Sequence, residues 1–353
     1  MSNLQKPSIS KSKLFISLNA IKNNYLRLQS QLGGANCGAV VKANAYGLGV
    51  EPVALALQSA GCKTFFVAHL EEGMELREIL PDAEIFVFHG VQKNEFADFA
   101  AYNLIPVLNN PAQLEFWDPE YPAAAHIDTG MTRLGFDISE VELLHGQNLN
   151  LLMTHLACAE LPRSPSNYAQ LQYFDEVAKQ FPHVRRSIAN SYGIYLGKEF
   201  HANIARPGIA LYGGNPTPAK QNPMENVIRL TAPILQINRL RDDSSIGYGA
   251  TYMAKKGDVI ATLAIGYADG LMRSLSNKGK CYIQNFETPI VGRVSMDLIT
   301  VDITNVPEIF HKVGQDVEII GNHYTISDAA KAAGTIEYEI LTMFGNRFER
   351  IYK

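Results

Sequence analysis

The residues Val40-Val41-Lys42-Ala43-Asn44-Ala45-Tyr46-Gly47-Leu48-Gly49 combine an apolar run, a lysine, a tyrosine and two glycines. The run 38–41 drives the lysine to its end, and helix-forming residues begin at about Glu51. That order predicts strand, turn, helix. A lysine at the carboxyl end of a buried strand sits where α/β proteins place their chemistry. Partly desolvated there, its amine can shed a proton and form a Schiff base with a carbonyl compound such as pyridoxal phosphate. A lysine that merely leaves the core for water would show the same pattern, and the decapeptide alone leaves both readings open.

Further chemistry-bearing residues fall at the ends of later strand-like runs. They are His126-Ile127-Asp128-Thr129-Gly130-Met131-Thr132-Arg133, then Thr154-His155, Asn190-Ser191 and Arg206-Pro207-Gly208-Ile209. Arg133 lies in a glycine-bounded loop, where its planar fork suits a carboxylate; a surface arginine in a turn is the plainer alternative. Ser191 and the backbone amides of Gly208 and Ile209 follow the seventh and eighth runs, where barrels often hold phosphate. Ser191 could also be a helix N-cap. Arg206, just before this turn, could aim at a cofactor ring nitrogen. Three more glycine-bounded turns follow: Gly247-Tyr248-Gly249, Gly266-Tyr267-Ala268-Asp269-Gly270 and Gly292-Arg293-Val294-Ser295-Met296-Asp297. Ordinary β-turn chemistry accounts for any one of them taken singly.

These residues need a frame. Eight β-prone runs recur at 37–42, 64–68, 84–88, 104–108, 123–128, 150–156, 184–189 and 202–206. Helix-forming stretches such as 51–60, 70–80, 91–102 and 168–181 lie between them. Strands alternating with helices imply a parallel sheet, and eight such units predict an α/β fold with a closed (β/α)8 barrel of the TIM type. An open doubly wound sheet is the alternative. From Val227 onward strands dominate, at 233–240, 258–265, 280–285, 290–303 and 316–320. A short helix at 327–333 has Ser327 as its cap, and 335–344 reads as helical. The chain is therefore read as a barrel over 14–224 and a mainly β domain over 225–353, joined through the polar, proline-bearing stretch 215–226.

Composition excludes several classes. The 353 residues can bury a large core. A net charge of −4 without a basic run gives no reason to expect nucleic acid or an anionic membrane. No stretch of about 18 apolar residues exists to span a bilayer. The polar start, 1–13, lacks the apolar segment of a signal peptide. Cys37, Cys62, Cys158 and Cys281 make no CxxC and fit a reduced cytoplasm. The histidines show no HExxH or similar spacing, so no metal site is expected.

The segments AVVKANAYGLG, DTGMTRLGF, MTHLACAE, ANS, ARPGIALYG, IGYGATY, IGYADG, GRVSMD and TIEYEIL occur in that order. By them the chain resembles the alanine racemases, bacterial enzymes that use pyridoxal phosphate and join a barrel to a C-terminal β-domain. The resemblance runs from about Leu14 to the end, and VVKANAYGLG is its most specific segment. It implies interconversion of L- and D-alanine, supplying D-alanine for peptidoglycan or degrading it, in a homodimer with shared active sites. Lys42 would hold the cofactor and act as one base. Tyr248 of the partner subunit would be the base on the opposite face. Arg206 would pair with the pyridine nitrogen, leaving it largely unprotonated and so limiting transamination. Tyr46, Ser191, Gly208, Ile209 and Tyr338 would hold the phosphate, with His155 beside Tyr248 and Arg206. Arg133 and the Met296 amide would bind the substrate carboxylate. Tyr267 and Asp297, also from the second subunit, would line the mouth of the site. The segment before about Leu18, which includes 1–13, would pair with the C-terminal domain.

The chain departs from the family in places. Many relatives carry a lysine, often carbamylated, where this chain has His126, so Arg133 must be held by another group or by an anion. Ser295 replaces a common cysteine, and Glu337-Tyr338-Glu339 replaces the usual Asn-Tyr-Glu. These changes touch substrate tuning and spare the bases and the phosphate ligands. Three other functions compete: a racemase for serine or lysine, a non-catalytic pyridoxal phosphate-binding protein, and a decarboxylase of the related fold. The non-catalytic proteins lack a β-domain, so the turn around Tyr248 speaks against them.

Overall fold

The computed structural model of the protein describes residues 12–353. The chain forms two compact units, Leu18–Glu225 and 226–353, the second including the described residues up to Ser17.

Strands covered on both faces must be apolar almost throughout. Thr64–Val67 and Ala123–His126 are buried along their whole length. Parallel pairing runs in chain order from Ala39–Val40 through Thr64–Val67, Glu84–Val87, Ile105–Leu108, Ala123–His126 and Leu149–Met153 to Arg185–Ser187. Ile204–Ala205 closes the ring. It pairs in parallel with Asn36–Cys37. On its other side Asn203 and Arg206 donate their N–H groups to Arg186 O at 2.9 Å and Ala189 O at 2.8 Å. The result is a closed (β/α)8 barrel. Gly38 interrupts the first strand where the backbones crowd: a Cβ there would lie 2.7 Å from the Phe66 ring and 3.2 Å from Ala205 O.

The outer layer is uneven. Leu18–Gln31, Val50–Ser59, Leu70–Ile79 and Pro165–Ala178 are full helices, each burying a stripe such as Val50, Val53, Ala54 and Leu57. The stretch read as helix at 91–102 shortens to Phe96–Ala101. After the seventh and eighth strands the connections are single turns, Gly193–Tyr195, Lys198–Phe200 and Ile209–Tyr212. The barrel's exit is fastened by buried Asn24. Its Nδ2 donates to Leu211 O at 3.2 Å and Glu225 O at 3.1 Å, and its Oδ1 accepts the Glu225 N–H at 2.7 Å.

The second unit is organised on the long strand Ile228–Arg239, which pairs antiparallel with Lys13–Ile16, Val259–Leu263 and Asp316–Ile320. Lys13–Ile16 also lies parallel to Glu349–Tyr352. Residues 14–17, assigned to the barrel from sequence, therefore belong to this sheet, where Leu14 and Ile16 are fully buried. The run 290–303 is a turn followed by the strand Ile299–Asp302, because Gly292 bends the chain at φ +80°. Thr325 and not Ser327 caps the helix Ile326–Ala333: it has the extended backbone a cap needs, and its Oγ1 accepts the Asp328 N–H at 3.2 Å. No helix among the described residues is long and apolar enough to cross a membrane.

Asn24→Ala removes three hydrogen bonds from a buried site and strands their backbone partners. It should lower stability by about 2–4 kcal/mol, read as an earlier midpoint in urea unfolding followed through barrel-specific peptides.

Candidate active site

Lys42 stands on an unusual backbone. The first strand ends with the Val41 N–H on Phe66 O at 2.9 Å. Ala43, Asn44, Ala45 and Tyr46 then have φ of 54°, 53°, 51° and 56°, one turn of left-handed helix. Such a turn costs roughly 1–2 kcal/mol per residue for L-amino acids. Several bonds hold it. The Ala43 N–H reaches Glu72 Oε1 at 2.6 Å, and Glu72 Oε2 accepts the N–H groups of Ala68 at 2.7 Å and His69 at 3.2 Å. Asn44 Oδ1 accepts the Val50 N–H at 2.7 Å, the N-terminus of the next helix. The lysine amine rides over the Phe88 ring at 5.9 Å. Burial, and then the charge of Arg133, push it below its usual value of 10.5, with Glu72 opposing. Both effects favour the neutral, nucleophilic amine.

At the end of the neighbouring eighth strand lies Arg206, buried. Its guanidinium donates to Ser187 Oγ and to Thr154 O at 2.6 Å. Burial lowers it to about 9. His155 is pushed well below 6.5 by burial and by the charges of Arg206 and Arg133. His126 is buried, and burial followed by the same two arginines lowers it to about 3. Its Nδ1 lies 3.1 Å from Asn109 Oδ1. Asn109 Nδ2 already donates to Phe88 O at 2.9 Å and Val107 O at 2.7 Å, so Asn109 Oδ1 must accept. His126 thus carries its proton on Nδ1 and keeps a lone pair on Nε2. The Arg133 loop is shaped by Asp128, whose Oδ1 accepts the N–H groups of Gly130 and Met131 at 2.9 Å and of Thr132 at 3.1 Å. Burial alone would raise this carboxyl, but the three amides outweigh it and hold it below its usual range. Arg133 itself is exposed and makes no hydrogen bond or ion pair among the described residues.

Ser191, Gly208, Ile209 and Tyr46 form a small cradle. Ser191 Oγ accepts the N–H groups of Gly208 at 3.0 Å and Ala210 at 3.2 Å, which turns its own proton outward. A Cβ on Gly208 would collide with the Tyr46 hydroxyl and meet Val40, so this backbone packs onto the strand that carries Lys42. The Ile209 N–H has no acceptor among the described residues. Small residues, an outward hydroxyl and a free amide suit a phosphate group.

In the β unit the three glycine-bounded turns come together. A cleft of about 310 Å³ is lined by Tyr248, Tyr267, Arg273, Arg293, Val294 and Ser295. The Tyr267 and Ala268 N–H groups bond Ser295 O at 3.0 Å and Met296 O at 2.9 Å. Tyr248 is 73% exposed and Met296 54%. The Met296 N–H has no acceptor among the described residues. Asp297 pairs with Arg347 at 2.8 Å. Tyr338 sits half-buried in the helix Glu337–Thr342. Thus Lys42, Tyr46, Arg133, His155, Ser191, Arg206, Gly208 and Ile209 share the barrel unit, whereas Tyr248, Tyr267, Met296, Asp297 and Tyr338 share the β unit. Sequence reasoning passed over Glu72, Asn109 and Arg347 in the site, and read Arg293 only as turn sequence. Glu72 follows His69 with helix-start spacing, but nothing local marks its reach across to Ala43.

The fold and the barrel rim define a class: barrel enzymes that work through a lysine amine and carry a second, strand-rich domain. Two family models match, "Alanine racemase, N-terminal domain" over residues 16–216 and "Alanine racemase, C-terminal domain" over 227–352. The chain belongs to the alanine racemase family. It is 45% identical to an alanine racemase of Rickettsia canadensis, covering 96% of this chain and 98% of that one. It is 44% identical to one of Rhodospirillum rubrum, covering 96% and 95%. Its structure resembles that of the Bartonella henselae alanine racemase with covalently bound pyridoxal phosphate, with TM-score 0.91, 37% identity and coverage of 97% and 99%.

The His126 assignment predicts a pH effect. A base held near 3 when folded, against 6.5 when free, adds stability above pH 6.5 that is lost as pH falls toward 3. His126→Gln keeps a donor for Asn109 without the titration. Its urea midpoint should fall less steeply than the wild type's over that interval, by up to about 1.4 kcal/mol per pH unit. Parallel curves would refute the assignment.

Proposed function

We infer that this protein interconverts L-alanine and D-alanine, with pyridoxal phosphate held by Lys42. The observation that carries this reading is the half-buried amine of Lys42, held below its usual pKa beside the cradle of Ser191, Gly208 and Ile209. The cofactor fits the residues present. The cradle suits its phosphate, with Tyr338 as a further ligand from the β unit. Arg206, a buried cation with only neutral acceptors, suits its ring nitrogen. When bound, pyridoxal phosphate supplies an electron-withdrawing ring that makes the substrate Cα–H acidic.

The remaining work falls to side chains. Lys42 Nζ moves a proton at Cα on one face, and the Tyr248 hydroxyl moves one on the other. Two bases on opposite faces invert the centre without turning the substrate over. Arg133 and the free Met296 N–H orient the carboxylate. His155, neutral beside Arg206, stands as the neighbour that tunes Tyr248. Tyr267 and Asp297 line the mouth. Tyr248 and the residues of its cleft serve the site of a second copy of the chain. This reading is supported by large, exposed side chains such as Tyr248, Met253 and Met296 on one unit. Four free cysteines suit a reducing compartment, and we place the protein in the cytoplasm. D-alanine made there would feed peptidoglycan; the reverse direction would degrade it.

L-alanine incubated in deuterated water should yield α-deuterated D-alanine; an amine product would mark a decarboxylase instead. Borohydride should fix the cofactor to Lys42, and a label found on any other lysine would sink the assignment.

The shared site is tested by mixing two inactive variants, Lys42→Ala and Tyr248→Ala, and letting subunits exchange. A mixed dimer has one site with both defects and one with none. Random pairing makes about half the dimers mixed, so about a quarter of all sites should be whole. Mixed dimers seen by mass spectrometry without recovered activity would place both residues in one chain.

A further inference from the structure

Arg347 follows the last helix and belongs neither to a motif nor to the cleft lining, yet it joins two of the turns that form the cleft. Its Nε lies 3.0 Å from Asp269 Oδ1 and its Nη1 2.8 Å from Asp297 Oδ1. Asp269 ends the Tyr267 turn and is buried, and its Oδ2 accepts the Gly266 N–H at 2.9 Å. The chain leading to Arg347 lies on the same turn. The Gly345 N–H reaches Asp269 O at 3.2 Å, and a Cβ on Gly270, whose φ is +101°, would collide with Met343 O. The turn's other edge is bonded to Ser295 and Met296 through two backbone N–H groups. A single guanidinium therefore bridges a buried carboxylate on one turn and an exposed carboxylate on the other.

We propose that Arg347 is a positioning residue that pins the Tyr267 turn to the Met296 turn and partly offsets the charge of Asp297 beside the amide that receives the substrate carboxylate. The second part rests on the function proposed above. Its physical content is simple. The free N–H of Met296 is adjacent in sequence to an acidic side chain. Without Arg347 the two carboxylates would carry two negative charges beside an incoming carboxylate, whereas the triad of Asp269, Arg347 and Asp297 carries one. Asp269 gains as well, since a buried carboxylate needs a charged partner in addition to one amide. Lysine could satisfy one carboxylate but lacks the fork that spans both.

The test uses the full-length, cofactor-loaded enzyme. In Arg347→Gln, hydrogen–deuterium exchange should quicken roughly tenfold in peptides covering 266–270 and 295–298 and stay unchanged in barrel peptides. The KM for alanine should rise about tenfold while kcat changes less than twofold, and the cofactor absorbance should be retained. Arg347→Lys should recover part of the exchange protection. Adding Asp297→Asn to Arg347→Gln should bring KM partway back, because the unpaired charge is gone. Unchanged exchange and KM in Arg347→Gln would overturn the proposal. So would a joint loss of kcat, cofactor absorbance and protection across the whole β unit, which would mean general scaffolding. A wild-type protein that shows the expected exchange pattern but does not racemise alanine would refute the functional reading and the substrate role, and leave the pin standing.

Discussion

Glu72 spends one carboxylate on two strand ends. One oxygen receives the amide after Lys42, and the other receives the amides of Ala68 and His69. The left-handed turn from Ala43 to Tyr46 carries a strain of roughly 4–8 kcal/mol if each residue costs 1–2. That is on the scale of the entire net stability of a domain, about 5–15 kcal/mol. Local bonds must offset it, and bonds to a charged acceptor are among the strongest available. The turn aims Lys42, packs Tyr46 against Tyr212 at 4.7 Å and sets the start of the helix Val50–Ser59. The position of the amine is thus fixed by backbone that a single distant acid keeps in place.

Around that amine the barrel gathers cations, while its nearby carboxylates, Glu72 and Asp128, are occupied by backbone amides. Lys42, Arg133 and Arg206 are positive or positive in reserve, and the histidines at 126 and 155 are held neutral by burial first and by the charges of the arginines second. Arg206 makes no ion pair among the described residues and donates only to a hydroxyl and a carbonyl. A buried cation without a countercharge is costly to keep. Its presence makes sense where an electron-rich partner completes the site. Asn109 contributes quietly to this balance, because fixing the tautomer of His126 decides which nitrogen can accept a hydrogen bond.

The sequence displayed the frame better than the fastenings. Barrel strands such as Thr64–Val67 and Ala123–His126 were legible because burial on both faces enforces near-unbroken apolar runs, and Lys42 was legible because it ends one. The strand 13–16 was joined to the C-terminal domain only through the family resemblance, and the domain boundary read at residue 14 cut through it, since its partners lie more than two hundred residues away. The run 290–303 looked continuous because its residues are β-prone, while the fold was decided by the single positive φ of Gly292. Ser327 looked like a cap, but a cap must be extended, and that property belonged to Thr325. Residues 43–46 were read as a turn, but nothing in Ala-Asn-Ala-Tyr marks that turn as left-handed. Glu72, Asn109 and Arg347 act at long range through one or two atoms, and periodicity cannot report that.

The interleaving of the chain sets an order of events during synthesis. The barrel is one unbroken stretch and can complete itself once residue 225 has left the ribosome. The β unit cannot. Its strand Lys13–Ile16 emerges more than two hundred residues before Ile228–Arg239 and earlier still than Glu349–Tyr352, with both of which it pairs. That strand must wait, unpaired, while the intervening barrel is translated at about 5–20 residues per second, until Ile228–Arg239 follows. Its length of four residues, with a charged Lys13 at its start, keeps that exposed edge short and poorly suited to recruiting a neighbouring nascent chain.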